Sequence, residues 1–337
     1  MAISPAPSPE EVSTALRRRL AGRFPGEVID VEAPVRVTGG FDFWIYGLHF
    51  GGAGLPAQWA APLIARIPAA AERFALLERE CRLQAWVAAH GYPAPALLEL
   101  IPPGELFGSP VQVMQRVAGT RMDDAITATP SRIPRLAGQL AASQVSLHRL
   151  PVPEWAQAGP GWSRADRRLQ LARYLVAQGL RGPVAEALER AEQIVPLLEV
   201  PEPVICHGDF HPRNLLLDAD TVWVIDWTDA GIGDRHGDIA RTEWLFRFAA
   251  VAITGETGGG VSQALPALSR DYLPSYRREV PIDAARLRLW MPLQHLDAWA
   301  VAVAGQRGFF GPSHPGNDSR IATWAEEQFR LSVEDLP

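Results

Sequence analysis

The stretch VICHGDFHPRNLLLDADTVWVIDW, residues 204–227, decides how this sequence is interpreted. Short hydrophobic runs, typical of strands, enclose a polar segment with two histidines, an aspartate and an asparagine. Asp209 lies five residues before Asn214, and Asp226 ends the second hydrophobic run, twelve residues after Asn214. Ionisable groups are expensive to bury without partners, so this placement indicates a functional loop held between two strands.

The spacing of these three residues fits phosphoryl transfer. That chemistry uses a carboxylate to orient the attacking hydroxyl and oxygen ligands to hold the magnesium ions that bridge the phosphates. An aspartate, an asparagine five residues later and a second aspartate after the next strand supply these groups. The kinase catalytic loop has the same spacing, with His-Arg-Asp where this chain has His-Gly-Asp.

The motifs HGDFHPRNLLLD and VIDW resemble those of the aminoglycoside phosphotransferase family, small-molecule kinases related to protein kinases. The resemblance implies that Asp209 is the catalytic base, that Asn214 and Asp226 bind Mg²⁺, and that His207 is structural. It also implies an α+β, bilobal protein-kinase-like fold, with a small antiparallel sheet and one long helix followed by a larger helical lobe. ATP or GTP would be the phosphate donor.

Two other interpretations of the polar segment compete with this one. Asp218 and Asp220 have the spacing of a turn between two strands, and we expect them to form one. A zinc site would need Cys206, His207, Asp209 and His211 to converge. Four neighbours on one short segment rarely reach a single tetrahedral centre, so a zinc site is disfavoured.

Composition excludes several classes of protein. With 337 residues, 47% of them hydrophobic and 21% charged, the chain is expected to fold into two globular domains or lobes. A net charge of −6 disfavours nucleic acid as a partner and is compatible with a cationic small-molecule acceptor. Two cysteines, no signal-peptide pattern and no long apolar run predict a cytoplasmic protein without a membrane span. All 32 basic residues are arginine.

The N-terminal third has the pattern of a small sheet with two helices. Ser8 and Glu11 predict a capping box at the start of the first helix. VTGGFDFWIYGLHF, residues 37–50, predicts a hairpin, and LIARI, residues 63–67, predicts another strand. Residues 71–91 then place Leu76, Leu83 and Val87 at helical spacing before Gly91.

The same region resembles the nucleotide-binding part of the family. Gly39 and Gly40 would cover the phosphates with their backbone amides, although Asp42 and Phe43 depart from the small or amide side chains usual there. Arg66 stands where protein kinases have lysine and would position the phosphates. Glu80 is either the partner of Arg66 or a solvated helix charge; spacing does not decide between them.

VQVMQRVAG, residues 111–119, resembles the strand that leads to the hinge between lobes. Met114 would line an adenine pocket, or would be simple core. Gln115 and Val117 would offer backbone hydrogen bonds to the base. We therefore predict a nucleotide-binding lobe over residues 1–117 and a helical lobe over residues 118–337, which holds the catalytic loop and the acceptor site.

The acceptor is less well defined by the sequence. Carboxylates in the C-terminal part favour an amine-bearing acceptor, and tryptophans favour a quaternary ammonium or apolar rings, unless these tryptophans are core. We expect Asp238 to support the catalytic loop from the start of the next helix. The acceptor candidates are Asp229, Asp234, Glu243, Asp297, Trp244, Trp290 and Trp299.

The function predicted from the sequence is a magnesium-requiring O-phosphotransferase that uses ATP or GTP. Its acceptor would be a hydroxyl of a small molecule, with aminoglycoside and macrolide antibiotics as candidates. The alternatives are a housekeeping kinase for a metabolite of choline, homoserine or sugar type, and a pseudokinase-like protein that binds its ligand without phosphoryl transfer. The sequence does not decide the oligomeric state.

Overall fold

The computed structural model describes residues 6–37, 43–68, 74–157, 164–199, 202–252, 259–308 and 318–334. The chain divides into two compact units. The first comprises Met1–Gly119 together with Trp223–Thr228, and the second comprises Thr120–Val222 together with Asp229–Pro337. The boundary between residues 117 and 118 stays a prediction. It assigns Trp223–Thr228 to the helical lobe, whereas this segment belongs to the first unit.

The first unit contains seven strands among its described residues: β1 (Asp30–Val31), β2 (Val35–Val37), β3 (Phe43–Leu48), β4 (Phe50–Gly51), β5 (Leu63–Pro68), β6 (Leu97–Ile101) and β7 (Val111–Gln115). Five of them form an antiparallel sheet in the order β2-β3-β5-β7-β6. The other two, β1 and β4, pair with each other. Its helices are α1 (Pro9–Arg23), α2 (Ala57–Ala60) and α3 (Phe74–Ala89).

Helix α1 begins at the predicted capping box. The Ser8 hydroxyl accepts a hydrogen bond from the Glu11 amide at 3.1 Å, and the Ser8 amide donates to the Glu11 carboxylate at 2.6 Å. These bonds satisfy backbone donors that a helix leaves unpaired in its first turn. The buried face of α1 carries Val12, Leu16 and Leu20.

Helix α3 confirms the predicted long helix but not its predicted face. Leu83 and Val87 are buried, whereas Leu76 is exposed and its neighbour Leu77 takes the buried position. The helix ends before Gly91, whose φ of +81° lies in the left-handed region that glycine adopts without steric cost. Glu80 is buried on the same helix, which brings a carboxylate against the sheet.

The second unit is mostly helical among its described residues. Its short strands are β8 (Thr120–Arg121), β9 (Val204–Cys206), β10 (Leu215–Asp218) and β12 (Gly231–Gly233), and β11 (Thr221–Val224) begins in it and ends in the first unit. Its helices are α4 (Met122–Ala128), α5 (Ile133–His148), α6 (Glu154–Gln157), α7 (Arg164–Ala177), α8 (Pro183–Ile194), α9 (Arg235–Ala252), α10 (Gly259–Glu279), α11 (Ala284–Gln306) and α12 (Ser319–Glu334).

Short strand pairs position the polar segment singled out in the sequence. β9 pairs antiparallel with β12, with Cys206 opposite Gly231, and β10 pairs antiparallel with β8. The loop 207–214 therefore starts and ends on paired backbone. Ala219, between β10 and β11, has a φ of +48°, which confirms the turn expected at Asp218 and Asp220. None of the described helices has the length and apolar composition needed to cross a membrane.

Candidate active site

Asp209 lies in the loop that follows β9. Asn214, at the end of a 3₁₀ turn, donates from Nδ2 to both the backbone carbonyl and the Oδ2 carboxylate oxygen of Asp209, each at 2.9 Å. His211 Nε2 lies 3.3 Å from the same carboxylate oxygen. The five-residue spacing noted in the sequence thus becomes a closed ring of hydrogen bonds within one loop.

The electrostatics keep Asp209 ionised. Burial alone would raise the pKa of its carboxyl, but the nearby charge and hydrogen bond of His211 and the charge of Arg241 lower the pKa to about 2. The side chain keeps 29% of its exposure, so a ligand can reach it. A carboxylate of such low basicity is suited to orienting a hydroxyl by accepting its hydrogen bond.

Asp238, at the start of α9, supports the loop through hydrogen bonds to its backbone, as expected. Its buried carboxylate accepts hydrogen bonds from the amides of His207 at 3.2 Å and Gly208 at 2.6 Å. It also accepts from Gln144 Nε2 at 2.9 Å and lies 3.1 Å from His148 Nε2. Because two consecutive amides of the loop share one fixed carboxylate, the backbone just before Asp209 is held in place.

His207 and Cys206 have structural surroundings. His207 is fully buried, and its Nδ1 accepts a hydrogen bond from the Asp209 amide at 3.3 Å. The Cys206 thiol lies 3.7 Å from the carbonyls of Val204 and Asp234. In the part of the chain that the structure describes, the close group of possible metal ligands is His148, Cys206 and Asp238. It differs from the four residues that a zinc site on the loop would need, and its Asp238 is already hydrogen-bonded.

In the first unit, Arg66 on β5 lies at the centre of a second polar cluster. Nη1 forms a buried ion pair with Glu80 and donates to Gln112 Oε1 at 3.0 Å. Nη2 donates to Asp226 Oδ1 at 3.1 Å and to the Thr228 hydroxyl at 3.0 Å. Glu80 is therefore the partner of Arg66 and not a solvated helix charge.

Two carboxylates of this cluster stabilise the positive charge of Arg66. Burial alone would lower the pKa of Arg66, but the negative charges of Glu80 and Asp226 hold it above its usual value. The aromatic ring of Phe43 lies 4.1 Å from the guanidinium carbon and covers one face of it. Phe43, a departure from the family pattern, thus packs on the arginine. Gly39, Gly40 and Asp42 lie outside the described residues.

Asp226 has an unusual backbone conformation. Its φ is +61°, a left-handed conformation that costs free energy for a residue with a side chain. Both of its hydrogen bonds, to Arg66 and Thr228, use Oδ1. The side chain is 46% exposed, which leaves Oδ2 accessible to a cation.

Asn214 and Asp226 each offer an oxygen atom of a kind that binds magnesium ions. Asn214 uses its amide nitrogen to hold Asp209, so its side-chain oxygen is the atom left for a ligand. Carboxylate and amide oxygens are the hard ligands that Mg²⁺ prefers. The donor set of these two residues therefore suits the ion that the sequence implies, and their role as its ligands stays a prediction.

The candidate adenine-binding residues lie at the end of β7. Met114 is buried, and its sulfur lies 3.7 Å from Gln84 Nε2. The Gln115 amide donates to the Ala96 carbonyl at 2.9 Å, so a base would meet the carbonyl of Gln115 and not its N–H. Val117 follows the end of the strand and is half-buried.

Several acceptor candidates from the sequence are structural. The Asp234 carboxylate is buried, pairs with Arg286 and accepts a hydrogen bond from Trp290 Nε1 at 2.9 Å. Trp290 and Trp299 belong to a hydrophobic core cluster of the second unit, as does Trp244. Burial raises the pKa of Glu243 to about 7, so at neutral pH this side chain is not a fixed negative charge.

Sequence reasoning missed two arginines that lie near the catalytic loop. Arg168 Nη2 lies 3.5 Å from the carbonyl of Gly208, and its side chain is 4% exposed. The charge of Arg241 contributes to the low pKa of Asp209. For Arg168 a signal existed, because it lies on α7 at helical spacing from the buried residues Ala172 and Leu175. A charged residue on an apolar helix face predicts a buried ion pair.

The geometry of both units defines an α+β protein of the protein-kinase-like class, with an N-terminal antiparallel sheet and a mostly helical C-terminal part. The family model described as "Phosphotransferase enzyme family" matches residues 39–280. The chain belongs to this family of phosphotransferase enzymes, as the resemblance in the sequence predicted.

Individual relatives agree with this assignment. An aminoglycoside 3'-phosphotransferase of Streptomyces fradiae is 38% identical over 107 residues, which cover 28% of this chain and 38% of that protein's length. A thermostable mutant of aminoglycoside phosphotransferase APH(4)-Ia, solved as a ternary complex with ADP and hygromycin B, is 17% identical with a TM-score of 0.60. That match covers 95% of this chain and 98% of the other.

A choline kinase from Cryptosporidium parvum Iowa II has the same fold. It is 13% identical with a TM-score of 0.59, over 97% of this chain and 95% of the other. These structural matches confirm the predicted fold class. At such low identity they show the fold alone.

Proposed function

We propose that this protein is a magnesium-requiring O-phosphotransferase that moves the terminal phosphate of ATP or GTP to a hydroxyl of a small molecule. The observation that supports it most directly is the loop geometry: an ionised, accessible Asp209 whose carboxylate is held by Asn214 and whose backbone is anchored through Asp238. Family membership supports the same reaction class. We place this activity in the cytoplasm, where nucleoside triphosphates are abundant and where the two free cysteines would stay reduced.

In this proposal Asp209 accepts the hydrogen bond of the acceptor hydroxyl and aims its oxygen at the phosphorus atom. Asn214 holds the carboxylate still and, with Asp226, supplies oxygen ligands for magnesium. Bound magnesium would neutralise negative charge on the phosphates as the bond to the leaving oxygen breaks. The proton of the hydroxyl passes to Asp209 once the oxygen has begun to bond to phosphorus.

The nucleotide-binding roles are proposals as well. Arg66, held by Glu80, would contribute positive charge to the phosphates, and Gly39 and Gly40 would contribute backbone amides. Met114 would pack against the base, which would donate a hydrogen bond to the carbonyl of Gln115 and form another with the backbone of Val117. ADP in the ternary complex of the APH(4)-Ia mutant supports a nucleotide as the donor.

Two groups of acceptors follow from the relatives. One relative is named an aminoglycoside 3'-phosphotransferase and a structural relative contains hygromycin B, which supports an aminoglycoside; a macrolide is the other antibiotic candidate. The likeness to a choline kinase supports an ordinary metabolite. Survival of a sensitive bacterial strain that expresses the gene under antibiotic challenge separates the two groups.

The test of the proposed function measures nucleoside diphosphate release with a library of hydroxyl acceptors. Wild type is compared with Asp209→Asn, which keeps the size of the side chain and removes its charge. Loss of the catalytic carboxylate should lower kcat by roughly 100-fold or more. The matched control is Asp220→Asn, at the exposed turn between β10 and β11, which should turn over like wild type. Equal turnover by Asp209→Asn would overturn the role of Asp209.

One observation favours a second candidate, a pseudokinase-like protein that binds nucleotide without transfer. Both Nη atoms of Arg66 are already hydrogen-bonded, to four side chains, and Phe43 covers one face of the guanidinium. Binding of ATP does not distinguish the two candidates. A phosphorylated acceptor decides for the enzyme, and its absence across the library decides for the binding protein.

A further inference from the structure

The peptide group that leads into Asp209 is held at both of its polar ends. Its N–H, which belongs to Asp209, donates to His207 Nδ1 at 3.3 Å. Its carbonyl, which belongs to Gly208, accepts a hydrogen bond from Arg168 Nη2 at 3.5 Å. Arg168 lies 40 residues away in the sequence, on α7. A side chain from outside the loop therefore contacts the peptide plane from which the Asp209 side chain projects.

Two carboxylates fix the guanidinium of Arg168. Nη1 donates to Asp297 Oδ2 and Nη2 donates to Asp229 Oδ2, both at 2.8 Å. Asp297 lies on α11, and Asp229 lies just before β12. The Arg168 side chain is only 4% exposed. Because the guanidinium is planar, two such bonds set its orientation, and its remaining N–H groups become fixed donors.

The contact with the loop depends on a shared nitrogen atom. The carbonyl of Gly208 and the carboxylate of Asp229 both accept from Arg168 Nη2, so these two oxygen atoms lie close together. Both oxygen atoms carry negative charge, and without the guanidinium between them they would repel one another. Loss of Arg168 should therefore turn the Gly208 carbonyl away from its present direction, and the Asp209 amide turns with it.

The local balance of charge increases this dependence. Asp209, Asp229 and Asp297 supply three carboxylates that act on one another, and Arg168 and Arg241 supply two guanidiniums. The group is therefore net negative with both arginines in place. Without Arg168, one guanidinium would face three carboxylates, and their repulsion would act directly beside the catalytic loop.

A second arginine of α7 provides a comparison. Arg173 also pairs with two carboxylates, with Asp166 at 2.8 Å and with Glu192 at 2.7 Å, but its side chain is 37% exposed. Such surface pairs contribute little to stability. A buried pair pays for the loss of hydration, and apolar residues of the same volume often stabilise a fold equally well. Stability alone therefore does not account for the buried position of Arg168.

We propose that Arg168 is a positioning residue for phosphoryl transfer, which orients the peptide group between Gly208 and Asp209 and thereby aims the Asp209 carboxylate. The proposal rests on the proposed phosphotransferase function. Arg168 acts through the loop and not by contact with the reacting groups. Its loss should therefore slow the chemical step more than it weakens the binding of nucleotide.

The first test measures kcat and KM with Mg-ATP and an acceptor that wild type phosphorylates. Arg168→Gln should lower kcat by at least about 10-fold, because a displaced catalytic group loses its alignment. The KM for ATP should change by less than about 3-fold. Arg168→Lys, which keeps the charge but has one nitrogen, should retain part of kcat. The control Arg173→Gln should turn over like wild type, and an unchanged kcat in Arg168→Gln would overturn the proposal.

A second variant separates positioning from stability. Arg168→Gln leaves two carboxylates without their main partner, and this should lower the temperature of unfolding. Adding Asp297→Asn removes one of the unpaired charges, so the double variant should regain part of that temperature. Its kcat should stay as low as that of Arg168→Gln, because the donor to the Gly208 carbonyl is still missing. Recovery of kcat together with stability would contradict a positioning role.

Hydrogen exchange separates failure of this inference from failure of the proposed function. In the peptide that covers residues 204–215, Arg168→Gln should exchange at least about 10-fold faster than wild type, because the Asp209 amide loses its fixed direction towards His207. Arg173→Gln should exchange like wild type there. This result, with no product from wild type and any acceptor, would contradict the enzyme and support the anchoring of the loop. Unchanged exchange in Arg168→Gln, beside product from wild type, would overturn the role of Arg168 and leave the enzyme.

Discussion

Arg66 shows at the residue scale how one side chain organises the first unit. It contacts Glu80 from α3, Gln112 from β7, and both Asp226 and Thr228 from the segment that returns after β11. Lysine has one ammonium group in place of a planar fork, so it would not reproduce this set of contacts. In a chain without lysine, arginine joins the sheet, the long helix and Asp226 through one group.

Arg66→Met should destabilise the protein strongly. The change leaves the Glu80 carboxylate buried without its partner, and breaking a buried ion pair in this way costs about 3–5 kcal/mol. Urea unfolding measures the effect. Arg18→Met, at an exposed position of α1, should cost less than about 0.5 kcal/mol. The double variant Arg66→Met with Glu80→Leu should recover part of the loss, and a single-variant cost below about 1 kcal/mol would contradict this account.

Glu243 predicts a dependence of stability on pH. Its pKa in the folded protein is raised to about 7, so the folded state binds more protons than the unfolded state between the usual pKa of 4.5 and 7. The free energy of unfolding should therefore fall as pH rises through this window, in total by about 2–3 kcal/mol. Glu243→Gln removes the ionisation. Between pH 5 and pH 8, the free energy of unfolding of this variant should therefore rise by this amount relative to that of wild type. A constant difference between the two proteins over that range would refute the prediction.

At the scale of elements, the contact of α9 with α11 depends on a glycine. A Cβ atom at Gly237 would lie 2.7 Å from the ring of Trp290, which is itself held through its Nε1 by Asp234. The tryptophan therefore packs directly on the backbone of α9, one residue before Asp238. This packing fixes the start of the helix that supports the catalytic loop.

Gly237→Ala should cost about 1–3 kcal/mol through overpacking, because the ring and the helix must move apart. It should also lower kcat, since Asp238 moves with the helix. The control is Gly138→Ala in α5, where an added Cβ meets no atom within 4 Å. That change should stabilise the protein by about 0.5–1 kcal/mol because alanine favours the helix. Thermal unfolding of both variants provides the comparison, and equal effects of the two would contradict it.

Local features of the fold could be predicted from the sequence, and long-range pairings could not. The capping box of α1, the turn after β10 and the loop around Asp209 each depend on residues a few positions apart. The two partners of Arg168 are separated from it by 61 and 129 residues. Asp226 is separated from its partner Arg66 by 160 residues. No local pattern reveals pairings at such distances. Leu76 has the helical spacing of Leu83 and Val87, but the buried face also contains Glu80, Cys81 and Gln84, which move its centre towards Leu77.

At the scale of the whole molecule, nucleotide and magnesium should stabilise the folded chain. A ligand at 100 times its Kd that binds the folded state adds about 2.7 kcal/mol to the free energy of unfolding. Thermal unfolding with ATP and Mg²⁺ should show this gain, and EDTA should remove the part that depends on metal. Asp226→Asn should weaken the metal-dependent part. An increase that is insensitive to both EDTA and this substitution would contradict the proposed magnesium ligands.

The most direct test of the central claim is to follow the terminal phosphate of ATP by ³¹P NMR in the presence of Mg²⁺ and a pool of hydroxyl acceptors. With wild-type protein, the γ-phosphate signal should be replaced by that of a phosphate monoester on the acceptor. Asp209→Asn should bind nucleotide but form the monoester at least 100-fold more slowly. Monoester formation at the same rate by Asp209→Asn, or release of inorganic phosphate alone by wild type, would contradict the account.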